Sequence, residues 1–145
     1  MEGVVMSSQR DRRGRPGHDE QPTFWDYNQR GVSFYNRGQY ARAIAELRRA
    51  VRASSFPLAV LHVNLGAAYL RSGLYGQARA ALVEGLRANP DDQTGHLFLG
   101  QTLLATGETG AARREFEHAR QLNPDSPEGR AAEDELGRLR GVLLG

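Results

Sequence analysis

The sequence predicts an all-α repeat protein in which three antiparallel helix pairs stack in line and one further helix closes the end. Three observations predict it. From Thr23 onward, apolar residues recur at the spacing of a helix rather than a strand. Three stretches align on one another: YNQRGVSFYNRGQYARAIAELRRA around Gly31, HVNLGAAYLRSGLYGQARAALVEG around Gly66 and HLFLGQTLLATGETGAARREFEHA around Gly100. Their glycines lie 35 and 34 residues apart. A period of this size marks stacked supersecondary units, none of which can bury its apolar face alone.

The first unit, 24–56, reads as a helix through Gly31, a turn at Gly38 and a returning helix through Ala43, Leu47 and Ala50. In the second unit, 57–90, the same positions are Gly66, Gly73, Ala78, Leu82 and Gly85. In the third, 91–124, they are Gly100, Gly107, Ala112, Phe116 and Ala119. The turn glycines supply the left-handed conformation that stops a helix. Asn89-Pro90 and Asn123-Pro124 end the second helices of their units, because the residue before proline is pushed out of the helical region. After the first unit, the connection Ser54-Ser55-Phe56-Pro57 is one residue longer, which accounts for the spacing of 35. A glycine inside a helix costs about 1 kcal/mol relative to alanine, so a neighbouring helix is expected to approach closely there. Ala43, Ala78 and Ala112 are the small residues expected to face these glycines, with Leu47, Leu82 and Phe116 filling the space between units.

Beyond the third unit, Ser126-Pro127-Glu128 reads as a helix start, with proline at the first helical position. Ala132, Leu136, Leu139 and Leu143 then recur along one face, so 126–145 is expected to cap the exposed end of the stack. The segment 1–22 is different. Between 7 and 22 it is almost devoid of apolar residues and carries Gly14, Pro16, Gly17 and Pro22, the composition of a flexible tail.

Composition excludes whole classes of chemistry. There is no cysteine, hence no disulfide, thiolate nucleophile or thiolate metal site. All 19 basic residues are arginine, so a Schiff-base lysine and a P-loop lysine are equally absent. The pI of about 9.4 overstates the basicity of a chain whose formal net charge is only +2. With neither lysine nor cysteine, little titrates between neutrality and tyrosine, and a small arginine excess carries the pI upward. No stretch approaches the ~20 apolar residues of a membrane span, and 1–6 lacks the charge and apolar core of a secretory signal. A cytoplasmic protein is the default expectation.

The units resemble tetratricopeptide repeats, whose 34-residue pattern runs W-x₂-L-G-x₂-Y…A-x₃-F…A…P. The second unit matches it best, at Leu65, Gly66, Tyr69, Ala78, Leu82 and Pro90. The third matches at Leu99, Gly100, Ala112, Phe116, Ala119 and Pro124. The first departs most, with Tyr27 in place of tryptophan, Arg30 in place of leucine and Ser55 in place of proline. The resemblance implies a right-handed superhelical solenoid and a function in protein binding, an adaptor or scaffold that takes a partner peptide or helix in its concave groove. By family position, the groove would be lined by Asn28, Val32, Tyr35 and Asn36 from the first unit. Val63, Asn64, Ala67 and Arg71 would follow from the second, and Leu97, Phe98 and Gln101 from the third. Tyr35 occupies a position that can also pack inward. Some members of the family grip a terminal carboxylate with lysine, arginine and asparagine. The corresponding residues here are Asn28, Val32, Asn64, Thr94 and Phe98, of which only Asn64 fits.

Other chemistries fare less well. No nucleophile–base pair, phosphate-cradling loop or zincin motif occurs, so no catalysis, cofactor or small-molecule substrate is expected. His62 and His96 hold equivalent repeat positions and could share a metal, but they read more simply as aromatic packing residues. His18 and His118 have no sequence-local partner. Arg10, Arg12, Arg13 and Arg15, with Phe24, Trp25 and Tyr27 nearby, could touch a nucleic acid. Four acidic residues in the tail balance these four arginines. The Arg/Glu-rich stretch 113–120 reads as a solvated helix face with i,i+4 charge pairs. The alternative to an adaptor is a structural subunit that assembles through its outer and end faces.

Overall fold

In a computed structural model, residues 13–14 and 21–144 are described, with side chains through 142. Among them are seven helices and no strand: α1 (Phe24–Asn36), α2 (Tyr40–Ala53), α3 (Ala59–Arg71), α4 (Tyr75–Ala88), α5 (Gln93–Ala105), α6 (Thr109–Leu122) and α7 (Pro127–Leu144). The expected tail, 1–22, lies outside the described residues except for Arg13, Gly14, Gln21 and Pro22.

Local chemistry sets the helix starts. Thr23 caps α1: its hydroxyl accepts from the Asp26 N–H at 3.3 Å while the Asp26 carboxylate accepts from the Thr23 N–H at 2.7 Å. This reciprocal pair satisfies two backbone donors that the first turn leaves free. The two bonds to Thr23, backbone first and then side chain, hold the Asp26 carboxyl below the usual carboxylate range. Asp92 caps α5 through the Gly95 N–H at 2.8 Å, and Ser126 caps α7 through the Gly129 N–H at 2.9 Å. The even-numbered helices α2, α4 and α6 start without a side-chain cap. They follow turns in which Gly38, Gly73 and Gly107 adopt φ of 75°, 75° and 83°. Side chains are strained in that region, so glycine makes the reversal.

The helices pair α1 with α2, α3 with α4 and α5 with α6, and each pair packs on the next to form a helical repeat solenoid closed by α7. Inside each pair the structure places Leu47, Leu82 or Phe116, expected to fill the space between units, against the glycine of the partner helix. A Cβ added to Gly31 would lie 2.5 Å from Leu47 Cγ, one on Gly66 2.5 Å from Leu82 Cγ, and one on Gly100 2.6 Å from Phe116 Cε1. The glycine therefore receives the large side chain of its own partner helix. The alanines expected there, Ala43, Ala78 and Ala112, are fully buried, and the carbonyl oxygens of Ala43 and Ala78 lie 3.3 and 3.4 Å from the Cβ positions of Gly31 and Gly66, so these two face their glycines as expected. Leu47 also clusters with Ala43, Leu65, Ala68 and Ala81, while Leu82 and Phe116 join Val63, Leu97, Leu99, Leu103 and the α7 residues Ala132, Leu136 and Leu139. The closing helix thus shares the core of the second and third units.

Charges on α6 pair across helices rather than at i,i+4. Glu115 bonds His96 of α5, and Arg120 bonds Glu133 of α7 at 3.0 Å. Glu133 also accepts from Arg140 at 2.8 Å, and hydrogen bonds from Arg140 and then Arg120 hold its carboxyl below the usual range.

Candidate functional site

The odd-numbered helices lie side by side, α1 against α3, α3 against α5 and α5 against α7, and together they form one face of the stack. A cavity of about 210 Å³ opens on this face. Val32, Tyr35 and Asn36 of α1, Asn64 and Ala67 of α3, and Phe98 of α5 wall it, and Leu47 reaches it from α2. A second hollow of about 440 Å³ continues toward the closing helix, lined by Leu70, Arg71, Tyr75, Gln101, Leu104, Ala105 and Glu135. A third, about 480 Å³, extends past Val32 and Asn36 to Asn28, Gln29, Ser33 and Arg37.

Two polar contacts tie the first unit to the second across this face. Asn64 Nδ2 donates to Asn28 Oδ1 at 2.9 Å, and Arg71 Nε donates to the Tyr35 hydroxyl at 3.2 Å. The bond to Tyr35 raises the Arg71 pKa above its ordinary value. Tyr35 in turn packs its edge on Tyr40, with ring centroids 5.4 Å apart. In the second hollow, Gln101 Oε1 is buried with no hydrogen-bond partner.

The structure thus brings Val32, Tyr35, Asn36, Asn64, Ala67 and Phe98 around one cavity and places Arg71 and Gln101 beside it. Two expected groove residues are corrected. Val63 and Leu97, 3% and 6% exposed, belong to the core. Val63 Cγ2 faces the Cα atoms of Gly85 and Gly95, where added Cβ atoms would lie 2.9 and 3.3 Å from it, so this side chain is spent on joining α3 to α4 and α5. Asn28, at the equivalent repeat position, is only 8% exposed but lines the third hollow as expected, and its amide oxygen accepts from Asn64. The Asn64 amide, expected to be free, is half committed for the same reason. Sequence pattern placed these residues one helical turn correctly but could not say which side of a crowded first helix faces its neighbours.

His96 is buried and makes a polar junction that sequence reading missed. Its Nδ1 lies 2.7 Å from Glu115 Oε2 and its Nε2 lies 2.7 Å from the Pro90 carbonyl oxygen. The ring stacked on it, at 3.9 Å between centroids, is His118 of α6. A carbonyl only accepts, and so does a carboxylate, so both contacts are made as donors only by the doubly protonated imidazole, and together they favour that form. Burial disfavours that charged form, but the bonds to Glu115 and to Pro90, with the charges of Glu115 and Asp92, outweigh it and raise the pKa. Paired histidine positions in neighbouring repeats were the available signal; the partner on α6 was not legible. His62 instead lines a hollow at the α2–α3 corner with Phe56 and Leu61. Among the described residues no three His, Asp or Glu side chains group as metal ligands, and no helix is long and apolar enough to cross a membrane. Arg10, Arg12 and Arg15 of the basic cluster lie outside the described residues.

Helix pairs of this repeating geometry, with one face built from their first helices, define a helical-repeat solenoid. The sequence profile described as tetratricopeptide repeat matches residues 28–69 and 63–127, and the chain belongs to that family. Solved structures agree on the fold. The first TPR of Spaghetti (RPAP3) bound to HSP90 peptide SRMEEVD is similar at TM-score 0.76 and 20% identity, over 88% of this chain and 98% of that one. The Sgt2 TPR domain from Aspergillus fumigatus gives 0.74 and 18%, over 86% and 84%. PcrH in complex with the chaperone binding region of PopB gives 0.69 and 21%, over 79% and 92%. No curated protein sequence matches the chain significantly.

Proposed function

We propose that this protein is an interaction module that holds a segment of a partner protein on the face built by α1, α3 and α5. The observation that carries this reading is the cavity walled by Val32, Ala67 and Phe98 from three successive repeats. An incoming apolar side chain would be removed from water there, at about 25 cal/mol per Å² of area buried. The solved relatives bound to SRMEEVD and to the chaperone binding region of PopB hold protein segments on the same fold, which supports the reading. Phe98 is half-buried, with part of its ring on the core cluster and part on the cavity, the placement of a central contact residue.

The test is a selection of random 12-residue peptides displayed on phage against the full chain, with the enriched peptides measured on two variants. Phe98→Ala removes the wall, and Val32→Arg fills the cavity. Both are expected to weaken binding about tenfold or more while circular dichroism stays helical. Peptides that bind both folded variants as tightly as the parent protein would move the binding surface elsewhere.

One observation favours assembly as a second reading. Trp25 and Phe56 are 47% and 57% exposed, and Phe24 bridges them at centroid distances of 5.0 and 6.5 Å. Light scattering of a Trp25→Ser, Phe56→Ser variant tests it: an oligomer that dissociates supports assembly through this edge, and an unchanged mass removes it.

A further inference from the structure

Of the charged residues that line the three hollows on this face, Arg37 and Arg71 are cations and Glu135 is the one carboxylate. Glu135 is already neutralised by Arg138 at 2.8 Å. Arg71 is exposed, its Nε is held by Tyr35, and its Nη groups have no carboxylate within ion-pair distance among the described residues. The face is therefore positive where the second hollow begins, directly beside the apolar cavity.

We infer that the segment this face takes is an internal stretch of a partner that carries a bulky apolar side chain close to an acidic one. The apolar side chain enters the cavity at Val32, Ala67 and Phe98, and the carboxylate reaches the guanidinium of Arg71. Tyr35 has the positioning role: it occupies Nε and leaves the Nη groups for the ligand. A guanidinium keeps its charge at any physiological pH and presents paired donors that match a carboxylate. The segment is taken as internal because Arg71 is a single cation beside the cavity, without the set of charged groups that grips a chain terminus. The positions that hold a terminal carboxylate in some related proteins are occupied here by Asn28, Val32, Asn64, Thr94 and Phe98, none of them charged.

This inference rests on the proposed binding face, and the experiment separates the two. The strongest peptide from the phage selection is synthesised with an acetylated amino terminus and an amidated carboxyl terminus and labelled for fluorescence anisotropy. The capped peptide is expected to bind as tightly as one with a free carboxylate. Replacing its Asp or Glu by the amide should weaken binding about fivefold on the parent protein and leave binding to Arg71→Gln unchanged. Arg71→Lys should retain the preference for the acidic peptide. Selection of peptides without an acidic residue overturns the inference, and so does an equal loss on parent and Arg71→Gln or a requirement for the free carboxylate. In each of these cases a loss of binding on Phe98→Ala leaves the face itself in place. Binding insensitive to both Phe98→Ala and Arg71→Gln overturns both readings together.

Discussion

Replacing Gly66 with alanine puts two effects of opposite sign against each other at one atom. Alanine is the better helix former, and inside an exposed helix the exchange stabilises by about 1 kcal/mol. At Gly66 the added Cβ would sit 2.5 Å from Leu82 Cγ, 2.7 Å from Leu82 Cδ2 and 3.4 Å from the Ala78 carbonyl oxygen. Leu82 is fully buried and cannot swing away, so the overlap forces apart two helices already in contact. Overpacking of this kind costs about 1–3 kcal/mol and exceeds the propensity gain. Gly137 of α7 is the control, since its added Cβ meets nothing closer than the end of the Arg140 side chain at 3.8 Å. Gly66→Ala is expected to lower stability in urea unfolding and Gly137→Ala to raise it, each by about 1 kcal/mol, or ~2–4 °C in melting temperature for a chain of this size. Leu82→Ala alone should cost about 2–5 kcal/mol. In the double variant Gly66→Ala adds no further loss, because the overlapping atoms are gone and the two sites are coupled. If Gly66→Ala stabilises as Gly137→Ala does, the close approach of α3 and α4 at this glycine is refuted.

Other outcomes follow from the remaining contacts. A histidine whose folded pKa lies above its unfolded value near ~6.5 stabilises fully below that pH and loses its contribution as pH rises through the folded value. The His96 junction should therefore lower the melting temperature from about pH 6.5 upward, and His96→Gln should flatten that dependence; an equal slope in the variant would assign it to other groups. Truncation after Asp125 uncovers the core that Leu136 and Leu139 complete, at about 1.5–3 kcal/mol for each leucine; a truncated chain that melts unchanged by calorimetry makes α7 an appendage. Thr23→Ala removes the hydroxyl half of the α1 cap and should cost about 1 kcal/mol, with faster amide exchange confined to the first turn of α1.

Local features of the sequence set the helices themselves. A glycine that must take positive φ ends α1, α3 and α5, Thr23 and Asp92 start α1 and α5 through their own side chains, and Pro90 and Pro124 prevent the second helices from running on. These effects act over a few residues, so they are readable without a partner helix. The repeat period adds the pairing, because each unit has to place its apolar stripe where the previous one did. What the period cannot specify is how two side chains divide one contact. Ala43 and Ala78 present their carbonyl oxygens to the helix glycines as expected, but Leu47, Leu82 and Phe116, expected between units, enter the same space from the partner helix, where burying the larger group stabilises more. The same limit applies on the binding face. Val63 and Leu97 share one repeat position and both turn inward, while Asn64 and Phe98, one residue further on, reach the cavity. A rotation of 100° per residue separates the two sets, and only the packing of α3 against α4 and α5 decides which set is buried. The pairing of His96 with Glu115 and His118 was likewise decided in three dimensions: the residues are 19 and 22 positions apart, on different helices, and nothing in the spacing shows that an acidic side chain and a second ring meet at that imidazole.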